Sequence, residues 1–249
     1  MAHFLRIAKS GSYWRWAELV AYNITIKWQD AATFFGVKTL PPPAVARELL
    51  TKSTADEMKN VVNYKLLRYM DLAMEPVRTG SAEESAVDDF AVHLLTLLDY
   101  APRPKMASTR TDIPLKICGE IRHAKTDVCI VDSNNILLLI QEDKRHKEMK
   151  DPSPQLIPEA VATFQANDRM RKTRSRACII PDFPTFYKIP ITSQLADSVA
   201  NGHYPTEPTV VHAHIPDIPR PAPCLSEGMR PLDNRRVILS CYTKHSRNS

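Results

Sequence analysis

The chain predicts an α/β fold, a mixed β-sheet flanked by helices, on three observations from its middle. Residues 126–144, TDVCIVDSNNILLLIQEDK, read as a β-hairpin; the segments 81–100 before it and 151–167 after it carry helix signals. With 249 residues and 43% hydrophobic content, the chain can bury a full core in one domain, or in one domain with an extension.

In chain order, the residues before Gly36 place Trp14, Trp16 and Trp28 around Leu19-Val20 and Ile24-Thr25-Ile26, which predicts a strand or short amphipathic element docked on the core. TLPPP at 39–43 is a polyproline-like linker, residues 44–74 read as one or two helices, and residues 75–80 form a loop. Ser81 with Glu84 three positions on makes a capping box, and Val87, Phe90, Ala91, Leu94 and Leu98 follow at helical spacing. After the hairpin, Ser153 as N-cap and Pro154 at the first helical position start a second helix, although Pro158 would delete a hydrogen bond inside it and argues for a later start. Extended pieces follow at ACII and TFYKIPIT, then a short helix at 193–200 and a strand, TVVHAHI. The prolines of IPDIPRPAP predict edge or peripheral structure here, and a basic helical or strand element closes the chain at 232–247. The expected division is an N-terminal extension and linker at 1–43, a core at 44–190 and a proline-rich C-terminal extension at 191–249.

The hairpin carries the chemistry. Folding it about Asn134 sets Asp127 opposite Gln141 and within one residue of Glu142, while Glu142 and Lys144 alternate onto one face. Two carboxylates and an ammonium then converge at one end of a buried hairpin, where unpaired charges cost several kcal/mol. Asp127, Glu142 and the Asp143 carbonyl offer hard oxygen ligands suited to Mg²⁺ or Mn²⁺, and Lys144 beside such a cation can orient a water for attack on a phosphodiester. The competing reading is an ordinary strand-end ion pair between Glu142 and Lys144.

At these residues the sequence resembles the PD-(D/E)XK nuclease superfamily, with Asp127 in the place of its first metal-binding Asp and Glu142-Asp143-Lys144 as its (D/E)-X-K triplet; Thr126 stands where the family name records Pro. The resemblance implies a restriction-endonuclease-like core and a metal-dependent nuclease, with DNA favoured over RNA. It also implies that Glu84, with Glu83 as the substitute, points from the first helix at the metal, and that Gln155 contacts the substrate backbone or the attacking water. For Glu84 the capping box, and for Gln155 a solvated helix start, are the structural readings. Further segments, among them LPPPAVARELL and PTVVHAHIP, resemble a family of basidiomycete proteins whose function is assigned only through the nuclease-like core. Relatives carry a longer segment where this chain has RKTRSRACIIPDFP, which keeps open the alternative of a catalytically silent scaffold that binds nucleic acid or protein.

The formal charge of +5 gains meaning from its distribution. Arg145 and Lys147 follow the triplet, and Arg169, Arg171, Lys172 and Arg174 crowd a second run; both suit a polyanion, and the second equally suits a nuclear-import signal or a solvated loop. Five cysteines without CxxC or CxxH spacing read as reduced thiols. His212 and His214 share a strand face, a weak metal pair without a third ligand. No apolar run is long enough to cross a bilayer and the first residues lack a signal-peptide core, so a soluble intracellular protein, nuclear or cytoplasmic and not secreted, is expected. A homodimer is compatible with the resemblance, but no interface stripe selects one.

Overall fold

Alternating apolar residues and tight turns assemble seven strands into one mixed sheet: β1 Ile24–Trp28, β2 Lys105–Ile117, β3 Glu120–Asp132, β4 Asn135–Gln141, β5 Ser175–Ile179, β6 Thr185–Ile189 and β7 Thr209–His214. The computed structural model describes residues 6–74, 82–132, 135–141, 153–167, 175–179, 184–220 and 228–246. The sheet order is β1-β7-β6-β5-β4-β3-β2. Strands β2, β3 and β4 form an antiparallel meander, and β5 lies parallel to β4 after a helical crossover. Strands β6 and β7 continue antiparallel, and β1 closes the far edge parallel to β7.

The helices are α1 Trp16–Ala21, α2 Ala31–Phe35, α3 Arg47–Thr51, α4 Val61–Met74, α5 Ala82–Leu97, α6 Ser153–Ala166, α7 Ser193–Asn201 and α8 Leu232–Ser246. They cover both faces of the sheet, which accounts for two apolar cores. One joins α4, α5 and α8 to Val128, Ile130 and Phe186; the other joins α1, α6 and α7 to Cys129, Tyr187, Ile189, Val211 and Ala213. Neighbours such as Phe186 and Tyr187 fall into different cores because successive strand side chains point to opposite faces.

The helix expected from Ser81 is α5; Ser81 itself and the Glu83 and Glu84 side chains lie outside the described residues. Helix α6 starts at Ser153 with Pro158 inside it, so the later start argued from Pro158 is corrected. Pro158 sits one turn after Pro154, so the hydrogen bond it removes belongs to the first helical turn. The strand β7, expected at an edge, is interior: prolines 205, 208 and 216 all lie outside Thr209–His214, leaving both ladders intact. The chain end also joins the core. Arg235 on α8 is 1% exposed and donates to the carbonyls of Leu49, Lys52, Ser53, Met229 and Arg230 over 2.9–3.4 Å, fixing α8 to the end of α3.

The hairpin strand expected to open at Asp127 begins at Glu120 and pairs along its length with β2. Cys118 (φ 50°) and Gly119 (φ 81°) make the two-residue turn, both left-handed, as a tight hairpin requires. Their N–H groups donate to the carbonyls of Val199 and Ala200 at 3.0 and 2.7 Å, so the hairpin tip satisfies the open C-terminal end of α7.

Candidate functional site

Midway along the β2–β3 ladder, the alternation of side chains breaks. Thr109 pairs with Val128 and Thr111 with Thr126, bracketing Arg110 and Asp127, and Arg110 is left-handed at φ 52°. Before the break, Ala107, Val128 and Ile130 face the core under α5; beyond it, Ile113, Leu115, Ile117 and Ala124 face the core under α6. Since these sets share parity with their counterparts, the switch is a consequence of the break. Asp127 therefore sits where the ladder changes faces, within electrostatic reach of helices on both sides.

From the first side comes Asp88 on α5, its side chain 9% exposed and 3.3 Å from Arg110 Nε. Burial, and next the charge of Asp127, push the Asp88 carboxyl up to about 6. From the second side comes Glu159 on α6, only 2% exposed among Leu156, Ile157, Ala160 and Val161. Burial first, then Asp127, raise its carboxyl far above the usual range, while a hydrogen bond from Thr126 opposes the rise. The Thr126 hydroxyl is buried and also lies 3.2 Å from the Val128 carbonyl. Beside it, Cys129 Sγ is 3.3 Å from Thr111 Oγ1; burial raises this thiol, and Glu159 adds to the rise.

Helix α6 is fixed relative to these strands by two amide side chains that act as short pieces of ladder. Gln165 bonds both the N–H and the C=O of Lys116 at 2.8 and 3.0 Å, and Asn167 does the same for Ile136 at 2.8 and 2.6 Å. The Gly11 turn lies against the same helix: a Cβ on Gly11 would stand 3.1 Å from Ala124 Cβ and 3.5 Å from Pro158. Gln155, half-buried, lies one turn before Glu159 on α6 and so shares its face.

Of the residues expected to form the site, the described residues include Asp127, Gln155 and the backbone position of Glu84. Asp127 is half-buried on β3, and the pairing of Val128 with Ile140 carries the ladder toward Gln141 as the next residue beside Asp127. Glu142, Asp143 and Lys144 follow at once and lie outside the described residues, as do Arg145, Lys147, Arg169, Arg171, Lys172 and Arg174. Sequence reasoning passed over Asp88 and Glu159. Each lies four positions after a residue it did select, Glu84 and Gln155, and hence on the same helical face one turn on. For Glu159 the available signal was a lone carboxylate in the apolar run LIPEAVA.

Asp127 is the common neighbour, and its carboxylate with Glu159 provides hard oxygen donors suited to a divalent cation. Among the described residues no three His, Cys, Asp or Glu side chains gather closely enough to hold a metal by themselves. The pair at His212 and His214 is separate. His214 is buried against Phe34 with Nδ1 3.0 Å from the Gln29 carbonyl oxygen, and burial lowers its pKa, holding a neutral core imidazole. No helix among the described residues is long and apolar enough to cross a membrane. Comparisons with protein-family models, curated proteins and solved structures find no match to this chain. The class defined on these grounds is a mixed α/β protein with an acidic centre at a break in its sheet.

Proposed function

We propose that this chain is a Mg²⁺- or Mn²⁺-dependent nuclease of the PD-(D/E)XK type, with DNA favoured as substrate. The observation that carries the reading is the position of Asp127: a half-buried carboxylate that loads two further carboxylates with its charge, on a strand whose partner runs directly into Glu142-Asp143-Lys144. A fold gains nothing in stability from gathering like charges, so the arrangement favours a cationic ligand. The order helix, antiparallel meander, crossover helix, parallel strand supports a restriction-endonuclease-like core; fold alone does not establish activity.

Asp127, Glu142 and the Asp143 carbonyl are the residues to hold the cation, with Glu84 or, one turn on, Asp88 reaching it from α5. Bound there, a divalent cation acidifies water and offsets charge developing on a phosphodiester. Lys144 holds the attacking water and Gln155 steadies that water or the substrate backbone. Arg110 on the α5 side, and Arg145, Lys147, Arg169, Arg171, Lys172 and Arg174 in sequence beside the site, supply phosphate contacts whose strength falls with added salt. Cleavage of mixed DNA and RNA substrates by the wild-type chain and by Lys144→Ala, with and without Mg²⁺ or Mn²⁺, tests the proposal. Metal-dependent cleavage lost in the variant supports it. Salt-sensitive binding without any metal-dependent turnover would instead indicate a catalytically silent scaffold.

A further inference from the structure

Glu159 is the residue that the site as drawn leaves without a use. Its Oε2 is buried and has no hydrogen-bond partner, and no described residue forms an ion pair with it. A carboxylate in that condition is a strong acceptor that has lost its water and gained nothing in exchange, at a cost of at least about 1–3 kcal/mol. Its other contacts make matters worse. The nearest charge felt by Glu159 is a second carboxylate, Asp127, and the single stabilising contact is the Thr126 hydroxyl. The rest of its surroundings is the apolar face of α6.

Three remedies exist for such a group: a cation, a shared proton, or a polar solvent path. Solvent is excluded by the 2% exposure of Glu159 and the full burial of Thr126. Arg110, the nearest described cation to the pair, is committed to Asp88 on the α5 side. A cation on the Asp127 side remains, and it would satisfy Oε2 while removing the repulsion between the two carboxylates.

We propose that Glu159 is itself a ligand of the divalent cation at Asp127, so that helix α6 contributes a carboxylate to the centre in addition to the strand acids. The inference rests on the cation-site reading of Asp127 and extends it to a residue outside the D…(D/E)-X-K pattern. Geometry supports it in two ways. Glu159 Oε2 is unpartnered beside Asp127, and Gln165 and Asn167 clamp α6 to both β2 and β4, which fixes the distance between helix and strand. A ligand-bearing helix needs such support, because metal sites lose affinity when the groups behind the ligands are loose.

Mn²⁺ alone is the probe. Titration followed by the paramagnetic signal of free Mn²⁺, on the full chain, should give at least about tenfold weaker binding for Glu159→Gln than for wild type, the loss expected from disturbing even the groups around a ligand. Thermal unfolding in EDTA should show Glu159→Gln as stable as wild type or more so, and Mn²⁺ should raise the unfolding temperature of wild type but not of the variant. Wild-type affinity and wild-type Mn²⁺ stabilisation in Glu159→Gln, with both lost in Asp127→Asn, would overturn the assignment of Glu159 and leave the cation site at Asp127 standing. Absence of Mn²⁺ binding to wild type overturns both. Should Glu159→Gln fail to fold, Glu159→Asp decides: the shorter carboxylate must weaken Mn²⁺ binding, and unchanged binding sinks the proposal.

Discussion

Replacing Asp88 by Asn should make the metal-free protein more stable at neutral pH, and the gain should vanish in acid. In the folded chain burial and Asp127 push the Asp88 carboxyl from its ordinary 3.8 up to about 6. The folded state therefore holds this proton more tightly than the unfolded chain. Below about 3.8 the group is neutral in both states and costs nothing. As pH rises from there to about 6 the folded state loses its advantage, and above that the ionised group destabilises the fold. At about 1.4 kcal/mol per pKa unit the full effect is about 3 kcal/mol. That figure is an upper limit for the substitution, because Arg110, 3.3 Å away, keeps a carbonyl but loses a charge partner. Urea unfolding of wild type and Asp88→Asn in EDTA, at pH 4, 6 and 8, measures it. The variant curve should pull ahead between the first two values and stay ahead at the third. Equal stabilities at pH 8, or a gain at pH 4 as large as at pH 8, would refute the reasoning that Asp88 is a charge held against its preference.

The other expectations concern separate parts of the molecule. Gly11→Ala should cost about 1–3 kcal/mol in thermal unfolding, since the new Cβ meets the Ala124 backbone at 3.3 Å as well as its side chain; no change would mean that the Gly11 turn is free to retreat from α6. Arg235→Leu strands five carbonyls at the junction of α3 and α8 and should cost at least about 3 kcal/mol, checked by the shift in urea midpoint. Lys144→Ala should abolish cleavage while leaving thermal unfolding near wild type. A parallel loss of folding would assign Lys144 a structural job.

Much of the architecture follows local signals that a sequence displays. Helix α5 and helix α6 lie where spacing and capping put them, and Thr192 and Gly202 bound α7 by the expected N-cap bond and left-handed C-terminus. The pairing of β3 with β4 keeps Val128 opposite Ile140, as folding about Asn134 requires. The long β2–β3 arm was hidden because its turn is Cys118-Gly119, without the Asn or Asp that usually announces a left-handed pair, and because Arg110 resets the alternation that marks one continuous strand. The interior place of β7 was hidden for another reason: proline content was read over the whole tail, whereas only prolines within the strand would break its ladders. In the site, Asp127 was legible because a carboxylate and an acid-x-lysine triplet face each other across a short turn. Asp88 and Glu159 were not, since their partner lies 39 and 32 residues away in sequence and only tertiary packing brings them within its field.

The central claim is that the carboxylates around Asp127 exist to hold a divalent cation for phosphodiester cleavage. Calorimetric titration of Mn²⁺ and Mg²⁺ into wild type and Asp127→Asn, with cleavage of mixed DNA and RNA followed in the same buffers, tests it most directly. The account predicts binding to wild type that disappears in the variant together with metal-dependent cleavage. No binding to either protein, with Asp127→Asn simply more stable than wild type, would contradict it and leave the acidic centre a feature of the fold alone.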